Sequence, residues 1–315
     1  MNKIIYYIDV LLAHNVSEEF TYKHETIEKP RVGMIVLAPL RSGEKIGVIT
    51  KVNSVLNDSK IKLKFIKEIS PEYRLNSKMI KFLNWVSNYN LIDRGLVLKM
   101  ILSHSKFYFK KKKTKELTSN IKKNVKTIKL SLEQKRASQD ILKIFQQRNF
   151  KPVLLDGVPG SGKTEVYFDV IKKFVKDGEQ VLIMFPEVSL TGDFVNRIEE
   201  RFGFSPLVWH SKISTAYKTK VLKSIIDGTS QIIIGARSSL FLPYKNLSMI
   251  ILDEEHDSSY KQEEQGIYHA RDMSVVKSSI EDIPIILTSA TPSLETIFNV
   301  MNNCLLYTSP SPRDT

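Results

Sequence analysis

Val153-Leu154-Leu155-Asp156-Gly157-Val158-Pro159-Gly160-Ser161-Gly162-Lys163-Thr164 is the stretch that decides the fold. An apolar run ends in a glycine-rich turn, and Glu165-Val166-Tyr167-Phe168-Asp169-Val170-Ile171 follows with the spacing of an amphipathic helix. The turn matches G-x-x-x-x-G-K-[ST], and it has the strand before it and the helix after it that this pattern needs. Glycines at 157, 160 and 162 let backbone N–H groups turn inward, and the start of a helix adds its positive dipole end, so the turn is built to cradle phosphates. Lys163 is expected to reach the β- and γ-phosphates and the Thr164 hydroxyl to bind Mg²⁺, with Ser161 and Glu165 completing the nucleotide contacts. ATP and Mg²⁺ are therefore the expected cofactors.

Working outward, QVLIMF, QIIIG, SMIILDE and IPIILTS repeat the short apolar, β-branched pattern, and amphipathic helical segments separate several of these runs. Such alternation predicts an α/β fold with a parallel sheet buried on both faces. One of the runs delivers Asp253-Glu254-Glu255-His256 at its C-terminal end, where open α/β sheets place their ligands. Asp253 would hold the Mg²⁺ ion, and Glu254 would orient and deprotonate an attacking water. The tripeptide Ser289-Ala290-Thr291 ends a further strand; alone it could be no more than a helix cap.

The 315 residues suffice for two domains. Hydrophobic residues make up 42% and aromatics 9%, which is ordinary for a folded protein and argues against widespread disorder. No run approaches the roughly 18 apolar residues that span a bilayer, so the reading is cytoplasmic with no membrane partner. Cys304 is the single cysteine, which excludes an internal disulfide and any cysteine-based zinc site in this chain.

The formal charge of +13 is unevenly spread. Residues 1–129 carry 26 Lys and Arg against 11 Asp and Glu, whereas residues 130–315 carry 21 against 23. A basic first part beside a near-neutral second part points to a polyanion as the partner of the first, although lysine-rich composition can also serve solubility alone. IIYYIDVLL, EFTY, GMIVLAPL and EKIGVITKV read as strands of a small β-rich domain, and KMIKFLNWVSNYN as a helix that packs Ile80, Leu83 and Trp85 against it. Residues 106–129 contain ten lysines and one acid, cannot bury a core, and are expected to form a linker.

In order along residues 130–303, LDGVPGSGKTEVYFDVI, VLIMFPEVSLT, IIIGARSSLFLPYKNLSMIILDEEHDSSYKQ, YHARDMSVVKSS and ILTSATPSLET resemble the successive motifs of the PriA family of superfamily-two replication-restart helicases. EFTYKHE…VGMIVLAPL…EKIGVITKV is similar, more loosely, to that family's domain for binding the 3′ end of a nascent strand. The resemblance implies a RecA-like helicase lobe over 130–303 and a β-rich DNA-binding domain with a helical extension over 1–105. It implies a 3′→5′ ATP-dependent DNA helicase acting at forks, with single-stranded DNA, primosome and single-stranded-DNA-binding proteins as partners.

By position, the resemblance implies that Gln134 contacts the adenine. It sets Pro186, Glu187, His210, Ser211 and Arg237 along the DNA path, and Tyr260, Lys261, Tyr268, His269 and Arg271 in an aromatic-rich loop that senses single strands. Stacking on the tyrosines would suit that role. His256, Ser289, Ala290 and Thr291 would couple the nucleotide site to DNA, and Phe20, Thr21, Tyr22 and Lys64 would line the 3′-end pocket.

Three departures qualify this reading. The family has Phe-Asp-Tyr where this chain has Phe20-Thr21-Tyr22, so the carboxylate that would accept a terminal 3′-hydroxyl is not at residue 21. The family's winged-helix domain has no counterpart of sufficient length, and Lys110–Lys113 are expected to replace part of its DNA contact. A second lobe with its arginine finger and the family's zinc-binding region lie outside the sequence, so zinc is expected only there and turnover by this chain is expected to be poor. Residues 304–315 read as a non-native tail. A non-enzymatic DNA-junction scaffold and another superfamily-two translocase remain the alternatives.

Overall fold

The computed structural model describes residues 3–41, 43–53, 62–104, 107–109, 125–176, 178–186, 192–264 and 266–310. Glu187 and Lys110–Lys113 lie outside the described residues. The chain divides into two compact units, one of residues 1–114 with 263–268 and one of residues 115–262 with 269–315.

In the first unit β1 (Ile4–Leu12), β2 (Glu19–Thr26), β3 (Met34–Leu40), β4 (Gly43–Asn53) and β5 (Glu68–Arg74) form an antiparallel sheet in the order β2-β1-β4-β3-β5. Period-two alternation sends Ile8, Val10, Tyr22, Val36 and Ile49 into one core, while Leu11, Ile35 and Val48, at the alternate positions, are buried on the other face. Four of these strands follow the sequence pattern. β5 was not anticipated, because its residues Glu-Ile-Ser-Pro-Glu-Tyr-Arg lack an apolar run and are held as an edge strand by pairing with β3.

α1 (Ser77–Asn90) begins at Asn76, whose side chain accepts from the Met79 N–H at 2.7 Å, and ends at Leu91 in the left-handed conformation. Its buried face is Met79, Phe82, Leu83 and Val86, so the expected trio of Ile80, Leu83 and Trp85 is corrected: Ile80 and Trp85 are only half-buried. α2 (Arg94–Ile101) approaches the end of β1 so closely that a Cβ on Gly95 would lie 2.1 Å from the His14 carbonyl oxygen; only glycine fits there. Phe107 and Tyr108 were expected to belong to a solvated linker. They are buried instead, packed around Tyr73, with the Tyr108 carbonyl accepting from Ser70 Oγ at 2.8 Å.

The second unit is the expected α/β architecture. After α3 (Leu132–Ile144) come β6 (Pro152–Asp156), α4 (Lys163–Phe174), β7 (Gln180–Met184), α5 (Gly192–Phe202), β8 (Leu207–Trp209), α6 (Thr215–Asp227), β9 (Ile232–Gly235) and β10 (Leu247–Leu252). A short ribbon of β11 (Lys261–Gln262) and β12 (Tyr268–His269) precedes α7 (Ala270–Glu281), β13 (Ile285–Ser289), α8 (Leu294–Met301) and β14 (Leu306–Thr308). The seven-stranded sheet runs β14-β6-β13-β10-β7-β9-β8, and every pairing is parallel. Helices cover both faces, so the central strands are unbroken apolar runs; each fully buried Ile, Leu or Val contributes roughly 1.5–3 kcal/mol. Within residues 304–315, Leu306–Thr308 pair as β14 with β6, and Tyr307 donates its hydroxyl to Asp156 at 3.3 Å. Among the described residues, no helix is long and apolar enough to cross a membrane.

Candidate active site

Three motif-bearing strands, β6, β13 and β10, are neighbours in the sheet, so the turns at their C-terminal ends meet at one edge. The turn after β6 carries Gly160 and Gly162 with φ of 81° and 84°, which the left-handed region allows at little cost only for glycine. Gly162 starts α4, and a Cβ there would lie 2.3 Å from Gln134 Nε2. Gln134 itself belongs to α3, where it closes a capping box with Ser131 and donates to the Ser161 carbonyl at 3.0 Å. It thus sits on the phosphate-cradling turn, within the region the sequence assigned to nucleotide.

Lys163 is 7% exposed, and its ammonium donates to the Gly157 carbonyl at 2.6 Å. The lysine is therefore held inside the turn by a bond that an incoming phosphate oxygen would replace with a stronger, charge-assisted one. Glu165 corrects an expectation. Its carboxylate lies 3.0 Å from Arg197 Nη2 and 3.6 Å from Arg201 Nε, so it ties α4 to α5 rather than facing the nucleotide.

Asp253, at the end of β10, is buried at 7% exposure. Tyr167 donates to its Oδ2 at 2.9 Å, the Glu254 N–H to its Oδ1 at 3.1 Å, and the Thr288 hydroxyl also to Oδ1. Burial raises the Asp253 carboxyl above the usual range, while these donors and the Lys163 charge pull it back toward ionisation. Glu254 adopts φ of 49°, a left-handed conformation costing about 1–2 kcal/mol in a non-glycine residue. That strain turns its half-buried carboxyl away from the strand axis, toward the Ala290 N–H. Burial first, and the Asp253 charge second, raise its pKa, which suits a group that must take up a proton.

The carboxylate of Asp253 and the half-buried hydroxyl of Thr164 give a hard oxygen donor set on either side of Tyr167. Such donors fit Mg²⁺, which is ordinarily held through one or two protein oxygens together with phosphates and water. Among the described residues, no group of three or more His, Cys, Asp or Glu could hold a metal.

The Ser289-Ala290-Thr291 turn is joined to the other two. The Gly157 N–H donates to the Ser289 carbonyl at 3.2 Å, and Ser289 Oγ shares a 2.7 Å hydrogen bond with His256 Nδ1 and accepts from the Thr291 N–H at 3.1 Å. His256 Nδ1 is also 3.6 Å from Glu254 Oε2. A helix cap alone would not make these contacts: the tripeptide touches both the phosphate turn and the acidic turn.

The sequence missed Glu255. It is fully buried, and its carboxylate accepts from the Ser293 N–H at 2.8 Å and Thr296 Oγ1 at 2.9 Å, with Arg271 Nη1 at 3.4 Å. Tyr167, one helical turn after Thr164, and Thr288, directly before Ser289, were also missed; both were visible only as helix and strand residues.

Several expected DNA contacts are committed internally. Tyr260 is 1% exposed and donates its hydroxyl to the carbonyls of Asp253 and Met184, and Tyr268 is 3% exposed, so neither ring is free to stack on a base. Arg271 donates to Ser293 Oγ at 2.7 Å, and Arg237 to the carbonyls of Ser259 and Lys261 at 3.1 and 2.5 Å. Pro186 is buried and His269 half-buried, burial lowering the imidazole pKa. His210 is half-buried and accepts from the Lys212 N–H, whereas Ser211 and Lys261 are exposed.

In the first unit, Phe20 and Tyr22 face the core, and the Tyr22 hydroxyl donates to the Pro39 carbonyl. Thr21 lies on the opposite face of β2. Its register partner across the strand pair is Asp9, and Thr21 Oγ1 donates to Asp9 Oδ1 at 2.7 Å while Asn53 Nδ2 donates to Oδ2 at 3.2 Å. A carboxylate thus stands beside Thr21 after all, supplied by the neighbouring strand. Lys64 is exposed, and its carbonyl accepts from the Lys23 N–H next to this region.

Comparison with known proteins agrees with the motif reading. The DEAD/DEAH box helicase family matches residues 131–300, and the 3′DNA-binding domain of PriA matches residues 9–103. The chain is similar to the replication restart protein PriA of Rickettsia felis, 39% identical over 270 residues that make up 85% of this chain and 40% of that protein. It is also similar to PriA of Haemophilus influenzae, 48% identical over 153 residues that make up 49% of this chain and 21% of that protein. The chain thus spans well under half the length of these relatives. A solved structure of RecG bound to a three-way DNA junction is 19% identical with a TM-score of 0.45, covering 70% of this chain and 30% of that one.

Proposed function

Since this chain belongs to the DEAD/DEAH box helicase family, we propose that it is the ATP-binding and DNA-gripping part of a 3′→5′ DNA motor that serves replication restart at forks. The observation that carries this reading is the junction of three turns at one sheet edge, in which Gly157 and His256 both bond to Ser289. In this reading ATP sits on the turn at Gly157–Thr164, with Lys163 moving from the Gly157 carbonyl to the phosphates. Mg²⁺, held by Thr164 and Asp253, would neutralise developing charge. Glu254 takes the proton from the attacking water. The His256–Ser289 bond then reports the state of the nucleotide to the strand end that follows.

The first unit, with its excess of lysine, grips the DNA. Its end-recognition chemistry rests on Asp9: the carboxylate held by Thr21 and Asn53 is the acceptor for a terminal 3′-hydroxyl that residue 21 cannot supply. Primosome and single-stranded-DNA-binding proteins as partners, and a cytoplasmic location, belong to the same reading.

The test has two arms. A fluorescent ATP analogue with Mg²⁺ should bind the parent chain and lose that binding in Lys163→Ala. Fork DNA whose leading strand ends in a 3′-hydroxyl should bind more tightly, by fluorescence anisotropy, than the same fork ending in a 3′-phosphate. Nucleotide binding that ignores Lys163 would overturn the motor reading, and equal, salt-sensitive binding of both forks would overturn the end reading.

A further inference from the structure

One face of α1 is built unlike the rest of the first unit. Trp85 and Tyr89, four residues apart, stack with ring centroids 4.6 Å apart and planes 15° from parallel. Trp85 is half-buried, and Tyr89 remains 62% exposed. Met79, Phe82, Leu83 and Val86 bury the adjoining face of α1, and Trp85 and Tyr89 flank it. Lys81 precedes Trp85 by one turn, so Lys81, Trp85 and Tyr89 run down the same side of the helix, and Lys78 is exposed one turn earlier. The helix Ser77–Asn90 contains no Asp or Glu at all, within a segment whose basic residues outnumber its acidic ones by 26 to 11.

We propose that the Trp85–Tyr89 pair is a base-stacking platform for single-stranded nucleic acid, with Lys81 taking the adjacent phosphate. The occupant follows from the combination of groups. An acidic peptide would satisfy Lys81 and leave the rings idle, and an apolar peptide would satisfy the rings and leave Lys81 unused. A single strand uses both, since every base offers a π-face and every nucleotide a phosphate. Tyr89 already has one face on Trp85, so a base arriving on its outer face extends an existing stack. The platform is separate from the Asp9–Thr21–Asn53 cluster, which lies on the sheet, and from the nucleotide site.

The chain has two tryptophans, so Trp209→Phe makes Trp85 the sole tryptophan reporter. An oligothymidylate about 12 nucleotides long and an abasic strand of equal length should both bind by anisotropy, but only the first should quench Trp85 emission. In the parent background Tyr89→Ala should weaken oligothymidylate binding by about 5-fold or more, Tyr89→Phe should restore it, and thermal melting should be unchanged in both. Unchanged Trp85 emission at saturating oligothymidylate, or Tyr89→Ala binding like the parent, would overturn the proposal. If Trp209→Phe does not fold, the two Tyr89 variants decide alone. The proposal shares with the proposed function only the premise that nucleic acid is the ligand: ATP-analogue binding that depends on Lys163 would leave the motor reading intact even if the platform failed.

Discussion

The two units use polar residues in opposite ways. At the edge of the parallel sheet, Asp253, Glu255, Thr288 and Ser289 are all buried and bonded to one another, to Tyr167, to His256 or to α8. On the antiparallel sheet, Asp9, Thr21 and Asn53 form a small, half-buried group in which Thr21 and Asn53 both bond to Asp9. The difference teaches that a motif residue in the second unit is first a wire between its neighbouring turns. Tyr260, Arg237 and Arg271, which look like DNA ligands in the sequence, spend their donors on carbonyls and carboxylates of neighbouring turns. In the basic unit, by contrast, Asp9, Thr21 and Asn53 are held by one or two bonds and remain part-exposed.

The largest effect that would sharpen this contrast is on Glu255. Glu255→Ala strips a buried carboxylate from Arg271, Ser293 and Thr296 and should cost the second unit about 3–5 kcal/mol, read as a lower denaturant midpoint. A loss under 1 kcal/mol would mean that the network is not wired as the contacts indicate. Next, Lys163→Ala should weaken binding of the ATP analogue by roughly 10–100-fold while fork binding holds constant. Parallel loss of fork binding would break the contrast, since the basic unit would then not act by itself.

Lys277, on α7, is 1% exposed, and burial pushes its ammonium down to about 8, with Glu281 opposing in part. Below pH 8 both folded and unfolded states carry the charge, and the folded state bears the full cost of burying it. Between pH 8 and the ordinary value near 10.4 the unfolded chain binds more protons, so stability rises with pH across that window. Lys277→Met should therefore stabilise the protein by roughly 1–3 kcal/mol at pH 7, with a gain that fades toward pH 10 in thermal melts. A gain independent of pH would show that packing, not charge, was relieved. The smallest expected effect lies in the open unit: Asp9→Asn should narrow the preference for a 3′-hydroxyl over a 3′-phosphate fork by a few-fold, about 1 kcal/mol, without altering thermal stability. An unchanged preference would remove Asp9 from end recognition.

Much of the second unit is legible in its sequence. A parallel sheet buried on both faces forces each strand into a continuous β-branched run, and a phosphate-cradling turn forces glycines where left-handed backbone is required, so both leave local marks in the chain. β5 left no such mark, because an edge strand needs only a partner's backbone. Glu165 was misread because helix position shows that a carboxylate starts α4 but not that Arg197 and Arg201 on α5 stand opposite it. Thr21 was read as a lost carboxylate because the register that sets Asp9 beside it joins residues twelve apart across a strand pair.

The sequence by itself determined the α/β class of the second unit, the position of its glycine-rich turn, the Asp253-Glu254 acidic turn and the basic character of residues 1–129, because each is written in neighbouring residues. Only the tertiary structure decided that β6, β13 and β10 lie side by side, that Glu255 and not Glu165 anchors the site's outer network, that Tyr260 and Tyr268 are buried, and that Trp85 faces Tyr89 at the surface. The physical reason is that hydrogen-bond partners and burial are properties of pairs. Strand order and helix packing choose those pairs from residues far apart in the chain, and no local pattern records the choice.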